Sequence, residues 1–298
     1  MKHLVTGGAG FIGSTLVDKL IKLGHEVVCV DNESAESSDV FYWNDKAENH
    51  KIDILDKESL ASVYQNIDCV FHLAAETRIV PAIKNPQKTF DVNVMGSINL
   101  LELVRKNNTS RIVISSSSAV YGLNQSPNIE SDKTDCLNPY ASSKLCVEEI
   151  SKMYHTLYDT NVINLRYFNV YGERMPSRGQ YAPVIGIFFR QKENQESLTV
   201  VGDGKQSRDF VHVGDVANAN IAASMTENKY AFGDYFNVGT SECYDILTIA
   251  KMINGENYSF IPERKGEARS SVANINKIRE TLEWLPSANL ENWIKELI

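Results

Sequence analysis

The sequence is poor in cysteine, in positive charge and in long apolar runs, and each shortage excludes a class of protein. Its 298 residues include five cysteines with no Cys-x-x-Cys spacing, which argues against a disulfide framework or a zinc site and favours a reducing cytoplasm. A formal net charge of −8 argues against nucleic acid as the main partner, because that partner requires a basic face. No apolar run approaches the roughly 18 residues of a membrane span. The chain starts directly with an apolar strand, so we expect neither a membrane segment nor a signal peptide.

What remains is an ordered globular protein. The length suits one large or two modest domains with a real core, and the apolar share of 43% is ordinary for a folded chain. The sequence shows no internal repeat and no low-complexity segment. An anionic small molecule is still a possible substrate class, because a local group of arginines can bind one inside an acidic protein.

The first 31 residues predict a dinucleotide-binding unit. A strand at 3–6 leads into four glycines, a helix is predicted over 11–23, and a strand at 26–30 ends on Asp31. The glycines permit a tight turn and close approach of backbone N–H groups to a pyrophosphate, and the helix N-terminus adds positive dipole. The Asp31 carboxylate is placed to accept both adenosine ribose hydroxyls and would repel a 2′-phosphate, which favours NAD over NADP.

The alternation of strands and helices continues through the first half of the chain. Helices are predicted over 87–106 and from Pro139 to 157, and further strands at 51–54, 69–73, 111–114 and 161–166. This pattern predicts an α/β fold, a Rossmann-type doubly wound parallel sheet that binds ligands at the carboxyl ends of its strands.

A tyrosine and a lysine lie one turn apart at the start of the second helix. Tyr140 and Lys144 share one helix face, and we expect the ammonium to lower the pKa of the phenol so that it can exchange a proton with a substrate alcohol. The spacing Tyr-x-x-x-Lys is common in helices, so this assignment depends on its surroundings. Pro139 suits the first helical turn and places Tyr140 near the strand ends, where the serine run 115–118 also lies.

These motifs resemble those of the extended short-chain dehydrogenase/reductases, in particular the NAD-dependent epimerase/dehydratase family that acts on nucleotide sugars. The octapeptide Thr6-Gly7-Gly8-Ala9-Gly10-Phe11-Ile12-Gly13 and the Tyr–Lys pair carry the resemblance, which covers nearly the whole chain. It implies NAD as cofactor and a catalytic set of Ser117, Tyr140 and Lys144. The residues assigned to NAD binding are Gly7, Gly10, Phe11, Ile12, Gly13, Asp31, Asn32, Asp53, Ile54, Leu73, Ala74, Ala75, Asn93, Ser115, Tyr140, Lys144 and Phe168.

The second half of the chain is assigned to the substrate. The predicted NAD-binding domain comprises residues 1–172 plus about 206–241, and a smaller, discontinuous domain comprises about 173–205 plus 242–298. The family resemblance implies contacts to a uridine-diphosphate sugar through motifs at 166–169, 207–210 and 264–267. The substrate residues are Ser117, Asn169, Val184, Thr199, Arg208, Arg264, Glu267 and Ser271.

The resemblance is strongest to the UDP-hexose 4-epimerases, which work through a transient 4-keto sugar. Dehydratases of the family place an Asp-Glu pair directly after the residue that corresponds to Ser117. This chain has Ser118 and Ala119 there, so dehydration is disfavoured. Ser271 replaces a bulky tyrosine that closes the pocket beside the sugar C2, which predicts activity on UDP-GlcNAc and UDP-GalNAc as well as, or in preference to, UDP-Glc and UDP-Gal.

Two other enzyme readings and one non-enzyme reading stay open. A UDP-glucuronate 4-epimerase or a nucleotide-sugar reductase would share most of this framework, and a dinucleotide-binding regulator would share the fold alone. The resemblance also implies a homodimer, paired through the helices near 87–106 and 139–157.

Overall fold

The computed structural model describes residues 1–35, 40–178, 182–263 and 268–298. The strands are β1 (Lys2–Thr6), β2 (Glu26–Asp31), β3 (Glu48–Lys51), β4 (Cys69–His72), β5 (Arg111–Ser117), β6 (Val162–Tyr167), β7 (Asn169–Tyr171), β8 (Leu198–Val201), β9 (Ser207–Arg208), β10 (Phe210–His212), β11 (Asp234–Val238), β12 (Tyr244–Asp245), β13 (Tyr258–Ile261) and β14 (Ser270–Ser271). The α-helices are α1 (Phe11–Lys22), α2 (Lys57–Ser62), α3 (Ile79–Lys84), α4 (Pro86–Phe90), α5 (Gly96–Lys106), α6 (Pro139–Tyr158), α7 (Val184–Glu193), α8 (Val213–Met225), α9 (Ile246–Asn254), α10 (Asn276–Leu282) and α11 (Leu290–Leu297).

Seven parallel strands form the central sheet, in the order β11-β6-β5-β4-β1-β2-β3. The Rossmann-type sheet expected from the sequence is thereby confirmed. The order of the strands reverses between β1 and β4, and in open parallel sheets ligands bind at the carboxyl ends of the strands beside such a reversal. The loop after β1 carries Gly7, Gly8, Gly10 and Gly13, and we call it the glycine turn. It therefore lies beside the reversal of the strand order.

Alternating side chains of the central strands bury two opposite faces of the sheet. Leu4 lies in one apolar cluster with Leu100 of α5 and Val147 of α6. Its neighbour Val5 lies in another cluster with Leu16 of α1. Each fully buried Leu or Val contributes about 1.5–3 kcal/mol, so both helical layers are held to the sheet mainly by apolar burial. The two layers fix the position of α1 and α6, which carry the predicted site residues.

The helix predicted as one piece over 87–106 is interrupted. Residues Asp91–Met95 form a π-helical turn between α4 and α5, with Asn93 inside it and almost completely buried. A π turn inserts a residue into the helix and redirects the side chains around it, a feature that often occurs at functional sites. The apolar periodicity of the sequence could not show this, because it continues on both sides of the turn.

A separate apolar cluster supports the smaller predicted domain. It joins α7, α9 and α11 to the two-stranded sheet β8–β13, with Phe188, Leu198 and Ile249 fully buried. However, Ile278 and Leu282 of α10 lie in the cluster of the main sheet, although the sequence assigned this segment to the second domain. The predicted domain boundaries stay a prediction. Within the described ranges, no helix has both the length and the apolar character that a membrane crossing requires.

Candidate active site

A cavity of about 580 Å³ runs along the carboxyl ends of the strands, from the glycine turn to the smaller sheets. Most of the predicted site residues contribute to its wall. Those that line it are Gly7, Gly10, Phe11, Ile12, Gly13, Asp31, Asn32, Ile54, Leu73, Ala74, Ala75, Ser115, Ser117, Tyr140, Lys144, Phe168, Asn169, Val184, Thr199, Arg208 and Ser271. Residues widely separated in the chain thus share one continuous space.

The glycine turn packs so closely that side chains would not fit. Gly7 has a φ of +69°, and a Cβ there would approach the backbone nitrogen of Ala74 to 2.7 Å. A Cβ on Gly13 would lie 2.0 Å from the carbonyl oxygen of Gly7. Helix α1 begins at Phe11 with no side-chain cap on its first amides. These free N–H groups and the helix dipole face the cavity and suit a pyrophosphate.

Asp31 ends β2 at the same end of the cavity. Its carboxylate accepts hydrogen bonds from the backbone nitrogens of Ala9 at 3.2 Å and Glu33 at 2.8 Å. Burial raises the pKa of Asp31, and these backbone bonds act in the opposite direction. Glycine turn, helix N-terminus and carboxylate together fit a dinucleotide with free ribose hydroxyls.

Two residues assigned to cofactor contact lie behind the cavity wall. Asp53 is not among the lining residues; it accepts a hydrogen bond at 3.0 Å from the side chain of Asn32, which does line the cavity. Asn93 likewise does not reach the cavity. Its amide bonds the backbone nitrogen of Glu76 at 2.7 Å, the carbonyl oxygen of Glu76 at 3.0 Å and the Ser143 hydroxyl at 2.9 Å. Both residues bond groups of the cavity wall or next to it, and their assignment to cofactor binding stays a prediction.

Helix α6 brings the predicted catalytic residues to the end of β5. The side chain of Asn138 caps the helix by accepting from the Ala141 nitrogen at 3.0 Å, which fixes where Tyr140 begins. The side chains of Tyr140 and Ser117 both line the cavity, and a hydrogen-bonding interaction with Ser117 acts to lower the pKa of the Tyr140 phenol. The Lys144 ammonium donates to the carbonyl oxygen of Ser115 at 2.8 Å and lies 3.4 Å from its hydroxyl.

The pKa of Tyr140 differs from the expectation based on sequence. Burial raises it, while the Ser117 hydrogen bond and the positive charge of Arg78 act to lower it. Burial also lowers the pKa of Lys144 to about 8, with the nearby Glu148 carboxylate opposing that shift. The expected lowering of the Tyr140 pKa is therefore not seen: burial raises it, the Lys144 ammonium is bonded to Ser115, and the charge that acts to lower the pKa of the phenol is that of Arg78.

Arg78 was missed because nothing in its local sequence marks it. It precedes α3, lines the cavity, and is coupled electrostatically to Tyr140 from across the site. Burial lowers the pKa of Arg78, and Tyr140 opposes this shift. No spacing rule joins positions 78 and 140, so only the packing of α3 against α6 could reveal the pair.

Glu148 is a further residue of the α6 face, and its spacing could have been noticed. It follows Lys144 by four residues, and its carboxylate binds the buried guanidinium of Arg166 at 2.8 and 2.6 Å. It also accepts a hydrogen bond from the Ser116 hydroxyl. The guanidinium of Arg166 stacks 3.8 Å from the centre of the Tyr235 ring.

Three successive serines of β5 thus face three successive turns of α6. Lys144 donates to Ser115, the Ser116 hydroxyl donates to Glu148, and Ser117 acts on the pKa of Tyr140. The sequence analysis named Ser115, Ser117, Tyr140 and Lys144 but neither Ser116 nor Glu148, and the buried ion pair between Glu148 and Arg166 ties the helix to β6.

The other end of the cavity is built from short, distant segments. Arg208 and Ser271 face each other in the parallel pair β9–β14, and Asn169 begins β7. Thr199 on β8 accepts a hydrogen bond at 3.0 Å from the Gln191 side chain of α7, the helix that Val184 starts. Arg264 and Glu267 lie outside the described residues. Among the residues that are described, no group of three His, Cys, Asp or Glu side chains is arranged to hold a metal ion.

Comparison with known proteins identifies the family of this chain. Residues 3–239 match the model of the NAD dependent epimerase/dehydratase family. The chain belongs to this family. NAD is the cofactor of the family, and the dinucleotide end of the cavity has the turn, the helix N-terminus and the carboxylate that NAD requires.

Several members of the family match over their whole length. A protein of Methanocaldococcus jannaschii, provisionally named a UDP-glucose 4-epimerase, is 39% identical over 99% of this chain and 96% of its own. A UDP-glucose 4-epimerase of Thermotoga maritima, solved with UDP-glucose, superposes with a TM-score of 0.92 at 33% identity, covering 99% of this chain and 96% of that one.

Relatives with other substrates match almost as well. A UDP-N-acetylglucosamine 4-epimerase of Methanobrevibacter ruminantium, solved with UDP-N-acetylmuramic acid, has a TM-score of 0.91 and 31% identity, covering 99% of this chain and 96% of that one. A UDP-glucuronate 4-epimerase of Thermodesulfobacterium geofontis is 32% identical over 99% of this chain and 97% of its own. The family resemblance expected from the motifs is confirmed.

Proposed function

We propose that this protein is an NAD-dependent 4-epimerase of UDP-hexoses that works through a transient 4-keto sugar. The observation that carries the proposal is that Ser117, Tyr140 and Lys144 line the same cavity as the glycine turn and Asp31. A proton-transfer group and a dinucleotide site that share one space are what oxidation and re-reduction of a sugar alcohol require. The family membership and the 4-epimerases among the relatives support this choice of reaction.

Each residue has a distinct task in this reaction. NAD, when bound, accepts the hydride from the sugar C4 and returns it. Tyr140 takes the proton of the 4-hydroxyl group and returns it at the end of the cycle, while Ser117 hydrogen-bonds the same oxygen. Lys144 holds the nicotinamide ribose from its anchored position at Ser115. Because the hydride returns to the sugar, the oxidised cofactor is regenerated in every cycle and the reaction needs no net oxidant.

The positive charge of Arg78 assists the deprotonation of Tyr140. Burial raises the pKa of the phenol, which by itself would make Tyr140 a poor base near neutral pH. The Arg78 guanidinium and the Ser117 hydrogen bond both favour the phenolate. We therefore assign Arg78 to the electrostatics of the reacting end of the cavity.

The small side chains near Ser271 suit a substrate with a bulky group at C2. Ser270 and Ser271 form β14, and together with Ala268 they line the cavity beside Arg208. A serine leaves the room that a tyrosine would fill, so we propose that UDP-GlcNAc and UDP-GalNAc are accepted. The predicted diphosphate contacts are Asn169, Arg208 and Arg264, with Glu267 on the uridine ribose.

UDP-glucuronate epimerisation is the second candidate, and one observation favours it. Arg78 puts a guanidinium in the wall near Tyr140, where the C6 carboxylate of a uronic acid could bind. A relative with this activity shows that the framework permits it. The two candidates differ in the charge on C6, which an assay separates directly.

We also propose a cytoplasmic homodimer. Helix α4 packs against α6, and exposed apolar side chains occur on this side of the molecule, in keeping with an intersubunit helix bundle. They include Phe90, Met95, Met153 and Leu157. The cysteines are free thiols, as a reducing compartment would leave them. Sedimentation of the purified protein tests the dimer.

The deciding experiment is a panel of UDP-sugars assayed for inversion at C4 without added NAD. We expect interconversion of UDP-GlcNAc with UDP-GalNAc, and of UDP-Glc with UDP-Gal. Turnover that requires added NADH would indicate a reductase, and exclusive turnover of UDP-glucuronate would select the second candidate. A protein that binds NAD but inverts no sugar would contradict the proposal.

A further inference from the structure

Three separate segments meet on the outside of the dinucleotide end of the cavity. The carboxylate of Asp18, on α1, accepts a hydrogen bond at 2.7 Å from the side chain of Asn44. Its other oxygen accepts one at 2.7 Å from the guanidinium of Arg174, which follows β7. The same guanidinium lies 4.9 Å from the ring centre of Tyr42. We call Asp18, Tyr42, Asn44 and Arg174 the clasp.

One arm of the clasp forms part of the cavity wall. The backbone nitrogen of Tyr42 donates to the carbonyl oxygen of Ala9 at 2.8 Å, so this arm is fastened directly to the glycine turn. Its neighbour Phe41 lines the cavity. On the other side, the Trp43 indole donates to Glu33 at 2.9 Å, two residues beyond Asp31. Residues 41–43 therefore cover the place where the dinucleotide is expected to lie.

The other arm comes from the substrate side of the site. Arg174 follows β7, the strand that Asn169 begins, and it is followed by Pro176, which lines the cavity. Arg174 has a φ of +66°, a left-handed conformation that is unfavourable for a residue with a side chain. From this conformation Arg174 makes the bond to Asp18 and the stacking contact with Tyr42.

We propose that the clasp retains the dinucleotide by holding residues 41–44 closed over the glycine turn. The inference rests on the proposed function, which explains why retention is needed. In a 4-epimerase the sugar is a ketone while the cofactor is reduced. If the cofactor dissociated at this stage, the hydride could not return to the sugar and the reaction would stop. Asp18, Asn44 and Arg174 act as positioning residues, because none of them lines the cavity itself.

The structure offers a matched control for an ordinary surface ion pair. Lys277 binds Asp234 at 2.7 Å, with side-chain exposures of 31% and 34%. Arg174 binds Asp18 at the same distance, with exposures of 31% and 39%. Lys277 also stacks on an aromatic ring, that of Tyr235, at 5.0 Å. The two pairs thus match in bond length, exposure and aromatic contact. They differ in their neighbours: Phe41 and Pro176, beside the clasp, line the cavity, whereas the segments that Lys277 and Asp234 join do not.

The test is the rate at which NAD leaves the intact protein. The protein is loaded with NAD and desalted, and the dinucleotide that stays bound is measured over time. We expect Arg174→Ala and Asp18→Ala each to speed release about tenfold, and the double variant to fall short of the product of the two accelerations, because both single variants remove the shared bond between Asp18 and Arg174. Arg174→Lys keeps the charge but loses the planar stacking, so its release rate should lie between those of the parent protein and Arg174→Ala. Lys277→Ala should release NAD like the parent protein.

Two results would overturn the clasp. One is release from Arg174→Ala that is no faster than from Lys277→Ala. The other is additive acceleration in the double variant, which would mean that the two side chains act separately. Thermal unfolding of the NAD-free proteins identifies loss of fold, which would lower the midpoint of Arg174→Ala far below that of Lys277→Ala. In that case the release rate of Arg174→Lys is compared with that of Lys277→Ala instead.

The release measurement needs no sugar, so it can fail separately from the proposed function. If the variants release NAD fast but the protein inverts no UDP-sugar, the clasp is supported and the proposed 4-epimerase activity is contradicted. Unchanged release in an active epimerase would remove the clasp alone. With both correct, Arg174→Ala should lose activity during long assays without added NAD and regain it when NAD is supplied.

Discussion

The two ends of the cavity are built in different ways. The dinucleotide end comes from β1, the glycine turn, α1 and β2, which are consecutive in the first 31 residues, and it presents mainly backbone groups. The sugar-nucleotide end collects side chains from Asn169 on β7 to Ser271 on β14, held in sheets of two or three short strands. One end is local and depends on backbone geometry; the other is assembled from distant segments and depends on side chains.

This difference determines which substitutions each end of the cavity tolerates. A backbone site tolerates substitution except where a Cβ would intrude, so the cofactor is retained across a family. A site made of side chains on short strands can change its substrate through single substitutions, and we predict that Ser271 is such a position. The reacting groups lie between the two, on the α6–β5 contact, where a buried ion pair supports them. The predictions below perturb each of these parts in turn.

The largest effect is expected at Tyr140, between the two ends. Tyr140→Phe removes the proton-transfer group and should lower kcat by about 10²–10⁴-fold. NAD binding should stay within about twofold, because the dinucleotide end is untouched. The matched control is Tyr64→Phe, because the Tyr64 hydroxyl bonds Thr109 and neither residue lines the cavity. Retained turnover in Tyr140→Phe, measured with the best UDP-sugar, would contradict its role as base.

Loss of the ion pair below α6 should destabilise the whole protein. Glu148→Gln leaves Arg166 buried with no countercharge and should lower the free energy of unfolding by about 3–5 kcal/mol. Glu102→Gln breaks a bond of 2.8 Å to Arg105 at the surface and should cost no more than about 1 kcal/mol. Urea unfolding measures both variants. Equal losses in the free energy of unfolding would show that the buried pair stabilises the fold no more than the surface pair.

The backbone character of the dinucleotide end can be tested with two glycines. A Cβ on Gly13 would lie 2.0 Å from the Gly7 carbonyl oxygen, so Gly13→Ala should lower the free energy of unfolding by about 1–3 kcal/mol. Gly10 has ordinary space, with the nearest atom at 3.4 Å, and a φ of −78°. Gly10→Ala should therefore be nearly neutral when unfolding is measured without NAD. A larger loss for Gly10→Ala would refute this account of the turn.

Lys144 should produce a pH dependence of stability on the alkaline side. Its pKa falls from 10.5 to about 8 on folding, so between these values the unfolded chain binds more protons than the folded one. Stability from this group therefore rises with pH through that window, by about 1.4 kcal/mol per unit. Lys144→Met should lack the rise when urea unfolding is compared at pH 8, 9 and 10. Parallel curves for the two proteins would mean that the pKa is not lowered.

The smallest effect is expected at the substrate end. Ser271→Tyr should close the pocket beside C2 and shift the ratio of N-acetyl to plain hexose turnover about tenfold towards the plain sugars, or about 1.4 kcal/mol. Ser270→Thr adds volume at the neighbouring position and should shift the ratio less. Competition between UDP-GlcNAc and UDP-Glc measures kcat/KM for both. An unchanged ratio in Ser271→Tyr would remove Ser271 from substrate selection.

The sequence was enough to determine the parallel sheet and the dinucleotide end. Strand, glycine turn, helix and Asp31 follow each other directly, so local spacing already carries their geometry. The same holds for Tyr140 and Lys144, because helical spacing puts them on one face. The family resemblance added Ser117 and the substrate residues, most of which the structure brings to one cavity wall.

Only the tertiary structure decided which charges act on the base. Arg78 acts on Tyr140 across 62 positions of chain, which no local pattern can indicate. Lys144 turned to Ser115, because a buried ammonium needs the nearest strong acceptor. The π turn at Asn93 and the meeting of Asp18 with Arg174 likewise depend on packing between distant segments. Spacing in the sequence sets which residues share a face, but folding sets what that face meets.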